Sequence, residues 1–312
     1  MKVTILGCGV YGLALAKTFL NNGNKVAMWS KFQKEVDNLN NEYPELSFNT
    51  DMATATLESD LIVIAIPVAF LEETMLVLKK CYLGQDILIA SKGIDTKKQR
   101  FAYEIVEEYL ETAQIGVISG GTFAVDMADM KVMGLTLGTK AKRIQEKVKS
   151  SLENNFLKIQ YVDDLVGVSV CGAIKNVMAI GFGMLDGANY PPSSRFLFLT
   201  RAIYEINDFI KKLGGSENTI MSYAGIDDIM MTCTSSQSRN YTFGRMIGEE
   251  VSKEEIEDYK NKTTIEGLGT AKAIYLLSQN KKIALPLSNI IYDILYNNKS
   301  HLELIKHLEL SL

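Results

Sequence analysis

The chain has 312 residues, of which 47% are hydrophobic and 22% are charged, a length and balance typical of a globular protein with two domains rather than a disordered chain. The 33 basic and 37 acidic side chains give a net charge of −4 without any long Lys/Arg run, which excludes nucleic acid as an expected partner. Both histidines, His301 and His307, lie near the end of the sequence, so histidine-based catalysis and His/Cys zinc sites are excluded elsewhere, and no metal site is expected.

The first half of the chain alternates short β-rich runs with amphipathic segments. The runs predicted as strands are 2–6, 25–29, 61–66, 86–90, 114–118, 132–138 and 157–161. Helices are predicted between them, for example at 12–22 and 97–111. Because apolar strands that alternate with helices are typical of βαβ units, residues 1–163 are predicted to form an α/β dinucleotide-binding domain. Its core is expected to be a doubly wound, mostly parallel, Rossmann-like sheet.

The second half, residues 164–312, shows helical periodicity and is predicted to be an all-helical domain that carries substrate and catalytic residues. It opens with an apolar, glycine-rich stretch at 165–188. Lys175, Asn176 and Asp186 interrupt this stretch, which favours a buried helix over a membrane span. The sequence starts with a strand-forming run and no signal-peptide pattern, and its four cysteines lie far apart. These features favour reduced thiols, a cytoplasmic location and no membrane insertion.

A glycine-rich motif follows the first predicted strand. Residues 7–12 read Gly-Cys-Gly-Val-Tyr-Gly, which matches the G-x-G-x-x-G pattern, and they open a helical run. Gly7 permits the tight turn, Gly9 lets a pyrophosphate approach the backbone, and Gly12 allows close packing of helix on strand. The phosphates would lie at the helix N-terminus, where free N–H groups favour anions. A turn in an α/β protein that binds another ligand is the alternative.

The end of the second predicted strand indicates which coenzyme is preferred. NAD-selective folds usually place an acidic residue there to hold the ribose 2′-hydroxyl. This chain has Ser30 and Lys31 instead, so no carboxylate at that position would repel a 2′-phosphate. Ser30 can hydrogen-bond the phosphate and Lys31 can attract it. We therefore expect NADP to be preferred over NAD, unless Lys31 is only a solvated surface charge.

Three further segments follow predicted strands, at the edge of the sheet where ligands of open α/β sheets bind. The run 64–68 ends a buried strand in proline. Lys92 lies in a Ser-Lys-Gly sequence, and residues 119–124 read Ser-Gly-Gly-Thr-Phe-Ala. The glycines leave backbone N–H groups accessible and Thr122 adds a hydroxyl, which suits contacts to a phosphate or a nicotinamide. Ordinary turns and strand ends have the same composition, so that alternative stays open.

Lys175 lies among small and apolar residues, where burial of a lysine is costly unless it is paired or functional. Burial lowers a lysine pKa and makes the group usable as a proton donor and acceptor. The alternative is a lysine whose amine reaches the surface. Two carboxylates at 227–228 offer partners. The run 238–240, Ser-Arg-Asn, offers donors for phosphate oxygens, or else a helix cap.

In chain order, these segments resemble the bacterial-type glycerol-3-phosphate dehydrogenase (NAD(P)+) family. The matching segments are GCGVYGLALA at 7–16, SKG at 91–93, SGGTFA at 119–124, CGAIKNVMAIGFG at 171–183, DDIMMTCTSSQSRNYTFGR at 227–245 and IEG at 265–267. The resemblance implies reversible, NAD(P)H-dependent reduction of dihydroxyacetone phosphate to sn-glycerol 3-phosphate for phospholipid synthesis. Two residues depart from the family's pattern: Gly121 replaces a usual proline, and Val10 replaces a small residue.

The resemblance also implies a role for each matching residue. Lys175 would be the acid/base, with Lys92 and Asp228 as further catalytic groups. The implied substrate contacts are Lys92, Gly120, Thr122, Lys175, Asp228, Ser238, Arg239 and Asn240. With the residues argued from the coenzyme motif, the expected coenzyme contacts are Gly7, Gly9, Val10, Tyr11, Gly12, Ser30, Lys31, Lys92, Ala124, Arg239 and Glu266.

Two other readings of the sequence compete with this one. A β-hydroxyacid dehydrogenase shares the domain order, but that class has asparagine four residues after its lysine, whereas this chain has Ala179 there and Asn176 directly after Lys175. A non-catalytic NADP(H) sensor could use the same fold. The lysines, aspartate and arginine of the implied site argue against a sensor. A homodimer formed through the helical domain is compatible with the sequence, but no residue identifies its contact surface.

Overall fold

The computed structural model describes residues 1–310, which divide into two compact units. Unit 1 comprises Met1–Lys92 and Phe101–Val168. Unit 2 comprises Gly93–Arg100 and the chain from Ser169 onward. Unit 1 holds the sheet and unit 2 is helical. The short segment Gly93–Arg100 thus belongs to the helical unit although it lies in the first half of the sequence.

Unit 1 is built on one sheet. Its strands are β1 (Lys2–Leu6), β2 (Lys25–Trp29), β3 (Ser47–Asn49), β4 (Leu61–Ile64), β5 (Asp86–Ile89), β6 (Ile115–Ser119), β7 (Met133–Gly138) and β8 (Leu157–Val162). Within residues 1–310 these eight strands lie in the order β3-β2-β1-β4-β5-β6-β7-β8. Among them, only the pair β6 and β7 is antiparallel. The predicted doubly wound, mostly parallel, Rossmann-like sheet is confirmed.

The helices of unit 1 connect these strands. They are α1 (Val10–Asn21), α2 (Gln33–Glu42), α3 (Met52–Thr56), α4 (Leu71–Leu78), α5 (Ala102–Tyr109), α6 (Ala124–Ala128) and α7 (Lys142–Ser151). Helix α1 buries Leu15, Ala16 and Phe19 in the core, together with β1 and β2. This burial fixes the position of the glycine-rich turn that precedes the helix.

The helices that follow the sheet are α8 (Leu165–Gly187), α9 (Pro192–Lys212), α10 (Asp228–Thr234), α11 (Arg239–Gly248), α12 (Lys253–Lys262), α13 (Glu266–Lys281), α14 (Pro286–Tyr296) and α15 (Glu303–Leu310). Length and composition alone would allow α8 to cross a membrane, with a mean hydropathy of 1.7. However, 83% of its most apolar window is buried inside the protein, as in the core helix of a soluble domain. The predicted buried, glycine-rich helix is confirmed.

Helices α8 and α11 pack with their backbones in close contact. A Cβ atom added at Gly183 would lie 2.2 Å from the carbonyl oxygen of Tyr241, and one added at Gly244 would lie 2.0 Å from that of Ile180. Each of the two helices has a second glycine one turn further on with the same restriction, Gly187 and Gly248. Only glycine fits at these positions, so the two helices hold each other at a fixed separation. Lys175 on α8 and Arg239 at the start of α11 are positioned by this contact.

Candidate active site

The glycine-rich turn of unit 1 has the geometry that its sequence predicts. Gly7 has φ +113°, and a Cβ there would lie 2.6 Å from the carbonyl oxygen of Ala65. A Cβ at Gly12 would lie 2.2 Å from the carbonyl oxygen of Gly7. By contrast, a Cβ at Gly9 would meet no atom within 4 Å. The backbone is therefore closely packed on the strand side and open over Gly9, directly before α1, which is the arrangement that a phosphate-binding glycine-rich turn requires.

Lys92 lies close to this turn within unit 1. Its Nζ is 5.4 Å from the centroid of the Tyr11 ring, a cation–π contact. The neighbouring Ser91 hydroxyl donates to the carbonyl oxygen of Ile66 at 2.6 Å, which ties the two strand ends together. Val10, the first residue of α1, is 73% exposed. The structure thus brings the predicted contacts Tyr11 and Lys92 together, with Val10 on the surface beside them.

The loop after β6 contains an unsatisfied hydroxyl. The Thr122 side chain is buried, and its Oγ1 has no hydrogen-bond partner within the described residues. A buried hydroxyl without a partner is costly, which suits a position that contacts a ligand. Gly120 has a packing reason of its own, since a Cβ there would lie 2.5 Å from the carbonyl oxygen of Gly134 on β7. Ala124 is the first residue of α6.

A carboxylate lies at the end of β2, where the sequence argument found none. Ser30 is buried, and its hydroxyl hydrogen-bonds the carboxylate of Glu35, in the first turn of α2. The same hydroxyl oxygen accepts the Phe32 N–H at 3.2 Å. Lys31 is directed to Glu73, with 3.6 Å between Nζ and Oε2. Glu35 was not predicted, because it lies five residues beyond Ser30 in the sequence and only the first turn of α2 brings its side chain back to the strand end.

Lys175 is buried in unit 2 with a charged partner. The residue is 6% exposed and Asp228 is fully buried. The Lys175 amine donates to Asp228 Oδ1 and, at 3.2 Å, to Thr232 Oγ1. The Thr232 hydroxyl also lies 3.2 Å from Asp228 Oδ1 as a donor. The alternative of a lysine that reaches the surface does not hold. Thr232 was not predicted, although its spacing of four residues from Asp228 on a helix indicates a shared face.

Asp228 owes its position to a break in the helix before it. Gly225 has non-helical backbone angles, and a Cβ there would lie 2.1 Å from the carbonyl oxygen of Ile220. Helix α10 begins directly afterwards, at Asp228. The neighbouring Cys233 is also fully buried, and burial raises the pKa of its thiol well above the usual range. Cys233 therefore stays protonated and is not a nucleophile.

Ser238 and Arg239 start α11. Ser238 is the N-cap of the helix, and its hydroxyl oxygen accepts the Tyr241 N–H at 3.3 Å. The helix-cap alternative is thus part of the structure, and the hydroxyl hydrogen is not used in that bond. Arg239, the next residue, is exposed. An exposed guanidinium beside free helix N–H groups favours an anion.

Asn240 belongs to a buried polar network that links three helices. Its Nδ2 donates to Asn176 Oδ1 on α8 at 3.0 Å, and its Oδ1 accepts the Gly267 N–H on α13 at 2.9 Å. Asn176 in turn donates to the Glu266 carboxylate at 3.2 Å. This network places Glu266 next to Asn240 within unit 2. The link from Asn176 to Glu266 was not predicted, because the two residues lie 90 positions apart in the sequence.

The sequence-predicted residues therefore form a group in each unit. Those in unit 1 are Gly7, Gly9, Val10, Tyr11, Gly12, Ser30, Lys31, Lys92, Gly120, Thr122 and Ala124. Those in unit 2 are Lys175, Asp228, Ser238, Arg239, Asn240 and Glu266. The first group includes the open glycine-rich turn with Lys92 beside Tyr11, and the second includes the buried Lys175–Asp228 pair and the N-terminus of α11.

Comparison with known protein families identifies the chain. A model described as "NAD-dependent glycerol-3-phosphate dehydrogenase N-terminus" matches residues 2–145, and one described as "NAD-dependent glycerol-3-phosphate dehydrogenase C-terminus" matches residues 164–306. The chain belongs to the NAD-dependent glycerol-3-phosphate dehydrogenase family. The predicted family resemblance is confirmed, and with it the assignment as an NAD(P)-linked oxidoreductase.

Relatives in this glycerol-3-phosphate dehydrogenase family match the chain over nearly its whole length. Glycerol-3-phosphate dehydrogenase [NAD(P)+] of Staphylococcus aureus (strain bovine RF122 / ET3-1) is 30% identical, over 98% of this chain and 97% of the relative. The crystal structure of glycerol-3-phosphate dehydrogenase from Coxiella burnetii matches with a TM-score of 0.92 at 28% identity, over 99% of this chain and 98% of that chain. A D-mandelate dehydrogenase with NADH matches at 14% identity with a TM-score of 0.59, which shows the fold alone.

Proposed function

We propose that the protein catalyses the reversible, NAD(P)H-dependent reduction of dihydroxyacetone phosphate to sn-glycerol 3-phosphate. The observation that carries this proposal is the buried Lys175–Asp228–Thr232 cluster in a member of this family. An ionised lysine held by a carboxylate and a hydroxyl can stabilise an alkoxide and exchange a proton with it. A sensor would not need such a group.

The reaction requires a hydride, and the nicotinamide of a coenzyme bound at residues 7–12 would supply it to the ketone carbon. Negative charge then develops on the ketone oxygen. The Lys175 amine would donate a hydrogen bond to that oxygen and deliver the proton that completes the alcohol. The hydrogen bonds to Asp228 and Thr232 would hold the amine in one direction during this transfer. In the reverse direction the neutral Lys175 amine would accept the proton from the alcohol while the hydride leaves the carbon for the oxidised coenzyme.

The phosphate of the substrate is assigned to the start of α11. Arg239 would pair with the phosphate oxygens, and Ser238 would donate the hydroxyl hydrogen that its cap bond leaves unused. Asn240 has one amide N–H beyond its bond to Asn176. Binding of this remote phosphate would supply energy for holding the ketone carbon in position for hydride transfer. In unit 1, Lys92, Gly120 and Thr122 are assigned as further substrate contacts.

The coenzyme proposed as preferred is NADP, with NAD also used. Lys31, whose side chain is 42% exposed at the end of β2, is the assigned partner of the 2′-phosphate. The other assigned coenzyme contacts are Gly7, Gly9, Val10, Tyr11, Gly12, Lys92, Ala124, Arg239 and Glu266, with Ser30 at the strand end. Since none of the four cysteines, all within the described residues, forms a disulfide, a reducing compartment such as the cytoplasm suits the chain. Its product would serve as a backbone for phospholipids, and the active form is proposed to be a homodimer.

Turnover by the purified protein tests this proposal. The decrease in absorbance of the reduced coenzyme is followed with two substrates at equal concentration, dihydroxyacetone phosphate and dihydroxyacetone. Each substrate is measured once with NADPH and once with NADH. We expect turnover only with the phosphorylated ketone, and faster turnover with NADPH. Equal rates with both ketones would remove the role of Arg239. Coenzyme binding without any turnover of the phosphorylated ketone would refute the proposed reaction.

A further inference from the structure

We propose that Glu35 is a residue that determines coenzyme selectivity in this protein. Its carboxylate accepts the 2′-hydroxyl of the adenosine ribose in NADH and repels the 2′-phosphate of NADPH, against the attraction that Lys31 exerts. This inference rests on the proposed function, because it assumes that a nicotinamide dinucleotide binds at the glycine-rich turn. It adds the residue that keeps NADH usable by a protein with a lysine at the strand end.

The position of Glu35 is that of a ribose-binding acid. Dinucleotide-binding folds that prefer NAD carry a carboxylate about 20 residues after the glycine fingerprint, at the end of the second strand. Here β2 ends at Trp29, and Glu35 returns to that strand end from the first turn of α2. Its hydrogen bond with the buried Ser30 hydroxyl holds the carboxylate there.

The same hydrogen bond removes Ser30 as a phosphate ligand. A serine hydroxyl has one hydrogen to donate, and that of Ser30 is directed to the Glu35 carboxylate. Its oxygen also accepts the Phe32 N–H at 3.2 Å. A 2′-phosphate would have to break the Ser30–Glu35 bond and then face the released negative charge. A ribose hydroxyl can donate to the carboxylate and leave that bond in place.

The negative charge of Glu35 is felt at the glycine-rich turn. The Gly7 N–H donates to the Trp29 carbonyl oxygen at 2.9 Å, so this turn and the end of β2 are in direct contact. Burial, reinforced by the charge of Glu35, raises the pKa of the Cys8 thiol to about 12. Cys8 lies between Gly7 and Gly9, in the turn itself. Glu35 is therefore close enough to act on a ligand bound there.

Lys31 is the opposing group. Its Nζ lies 3.6 Å from Glu73 Oε2 in an exposed ion pair, and 5.2 Å from the centroid of the Phe70 ring. Exposed pairs of this kind contribute little, so the lysine can leave Glu73 for a 2′-phosphate. One tethered carboxylate and one movable ammonium thus act in opposite directions on the same position of the coenzyme.

Direct binding measurements on the whole chain without substrate test the role of Glu35. Dissociation constants are measured for NADPH and NADH, and for 2′,5′-ADP and AMP as probes of the 2′-phosphate alone. Glu35→Gln keeps an acceptor for the Ser30 hydroxyl and removes the charge. We expect it to raise the affinity ratio of NADPH to NADH, and of 2′,5′-ADP to AMP, by at least about tenfold.

Asp37→Asn is the matched control. Asp37 lies on the same helix, is exposed, and has its carboxylate on Gln33 Nε2 at 2.7 Å. The Asp37→Asn substitution removes the same charge from α2 but at a position away from Ser30. We therefore expect the NADPH-to-NADH and 2′,5′-ADP-to-AMP affinity ratios to stay at their wild-type values. Equal shifts from Glu35→Gln and Asp37→Asn, or no shift from Glu35→Gln, would overturn the inference.

Lys31→Met tests the opposing charge by a second variant. We expect it to lower both affinity ratios, and an unchanged ratio would contradict the inference even if Glu35→Gln failed to fold. These binding results are independent of turnover. A wild-type chain that binds both coenzymes but does not reduce dihydroxyacetone phosphate would refute the proposed function and leave the role of Glu35 standing.

Discussion

Lys175 and Asp228 are buried together, and each makes the burial of the other tolerable. A lone charge in the interior is very unfavourable, whereas a hydrogen-bonded pair recovers much of the lost hydration. Thr232 completes the pair, since it accepts from the amine and donates to the carboxylate. The cluster therefore has two consequences: it makes the buried pair tolerable in unit 2, and it holds the Lys175 amine in one orientation.

The substitution Asp228→Asn tests both the burial of the pair and the positioning of the Lys175 amine. It leaves the Lys175 ammonium without a counter-charge, so we expect the free energy of unfolding to fall by about 3–5 kcal/mol. We also expect turnover of dihydroxyacetone phosphate to fall by about 10²–10⁴-fold. Urea unfolding and turnover assays measure the two effects. The control is Asp208→Asn, which breaks the exposed pair between Lys212 and Asp208 and is expected to cost less than about 1 kcal/mol. Equal losses from the two variants would contradict this account.

The sequence identified the charged members of this cluster but not its neutral ones. Lys175 stood out because its surroundings are small and apolar, and a buried charge implies a partner. Thr232 in this cluster and Asn176 in the neighbouring Asn240 network are neutral residues with no unusual surroundings in the sequence. Their roles depend on how the helices pack against one another. Glu35 was missed for the same reason, since only the return of α2 brings it to Ser30. The spacing of Thr232 from Asp228 indicates only a shared helix face, whereas the side chains that meet this face depend on tertiary packing.

The contact between α8 and α11 fixes the helical unit around these residues. Both helices present glycines four residues apart, so carbonyl oxygens of one helix occupy the space of absent side chains on the other. A side chain at any of these positions would have to displace backbone, which is harder to move than a side-chain tip.

Gly244→Ala on α11 tests this contact. Its Cβ would lie 2.0 Å from the Ile180 carbonyl oxygen, so we expect a loss of about 1–3 kcal/mol or more in the free energy of unfolding. The matched substitution is Gly269→Ala on α13, where the nearest atom, Thr96 Cγ2, is 3.7 Å away. Alanine favours helix, so that variant is expected to be neutral or more stable, by up to about 1 kcal/mol. Thermal unfolding compares them, and similar melting temperatures would contradict the close packing.

Helix α14 is capped by a carboxylate from another helix. Glu205 of α9 accepts the N–H groups of Leu287 at 2.7 Å and Ser288 at 2.9 Å. Although these bonds favour the ionised form, the burial of Glu205 outweighs them and raises the pKa of its carboxyl above 4.5. The folded chain therefore holds this proton more tightly than the unfolded chain does.

This shift predicts a pH dependence of stability. The contribution of a group whose pKa is raised on folding is complete below the unfolded value and is lost as the pH rises through the folded value. The stability of the wild type relative to Glu205→Gln should therefore decrease as the pH rises above about 4.5, because glutamine does not ionise. Urea unfolding of both chains across this range measures the difference. A relative stability of the wild type that increases with pH would contradict the assigned direction.

The elements that the sequence predicted best are buried strands with apolar runs. The bounds of β1 and β2 agree with the prediction, whereas the three-residue strand β3 was missed because Ser47–Asn49 is too short for a pattern. The helix predicted at 97–111 is shorter in the structure, where it spans Ala102–Tyr109. Helix α5 begins at Ala102, since the Phe101 N–H is taken by the Glu104 side chain at 2.7 Å.

At the scale of the whole molecule, the change from strand-rich to helical pattern reveals the two units, because each has its own periodicity. The segment Gly93–Arg100 is an exception that the pattern does not show. It joins the helical unit through tertiary contacts such as the 3.2 Å bond from Asn280 Nδ2 to Gln99 Oε1. The fold is shared with the Coxiella burnetii enzyme at 28% identity, so it is retained although most individual residues differ.

The central claim is that Lys175 carries the acid/base step of dihydroxyacetone phosphate reduction. The most direct test measures turnover of that substrate by the wild type and by Lys175→Met, together with coenzyme binding and thermal unfolding of each. The double variant Lys175→Met/Asp228→Asn removes both buried charges and serves if the single variant unfolds. For each variant that folds, we predict a loss of about 10²–10⁴-fold in turnover, with unchanged coenzyme affinity. Turnover near the wild-type rate in either folded variant would contradict the account.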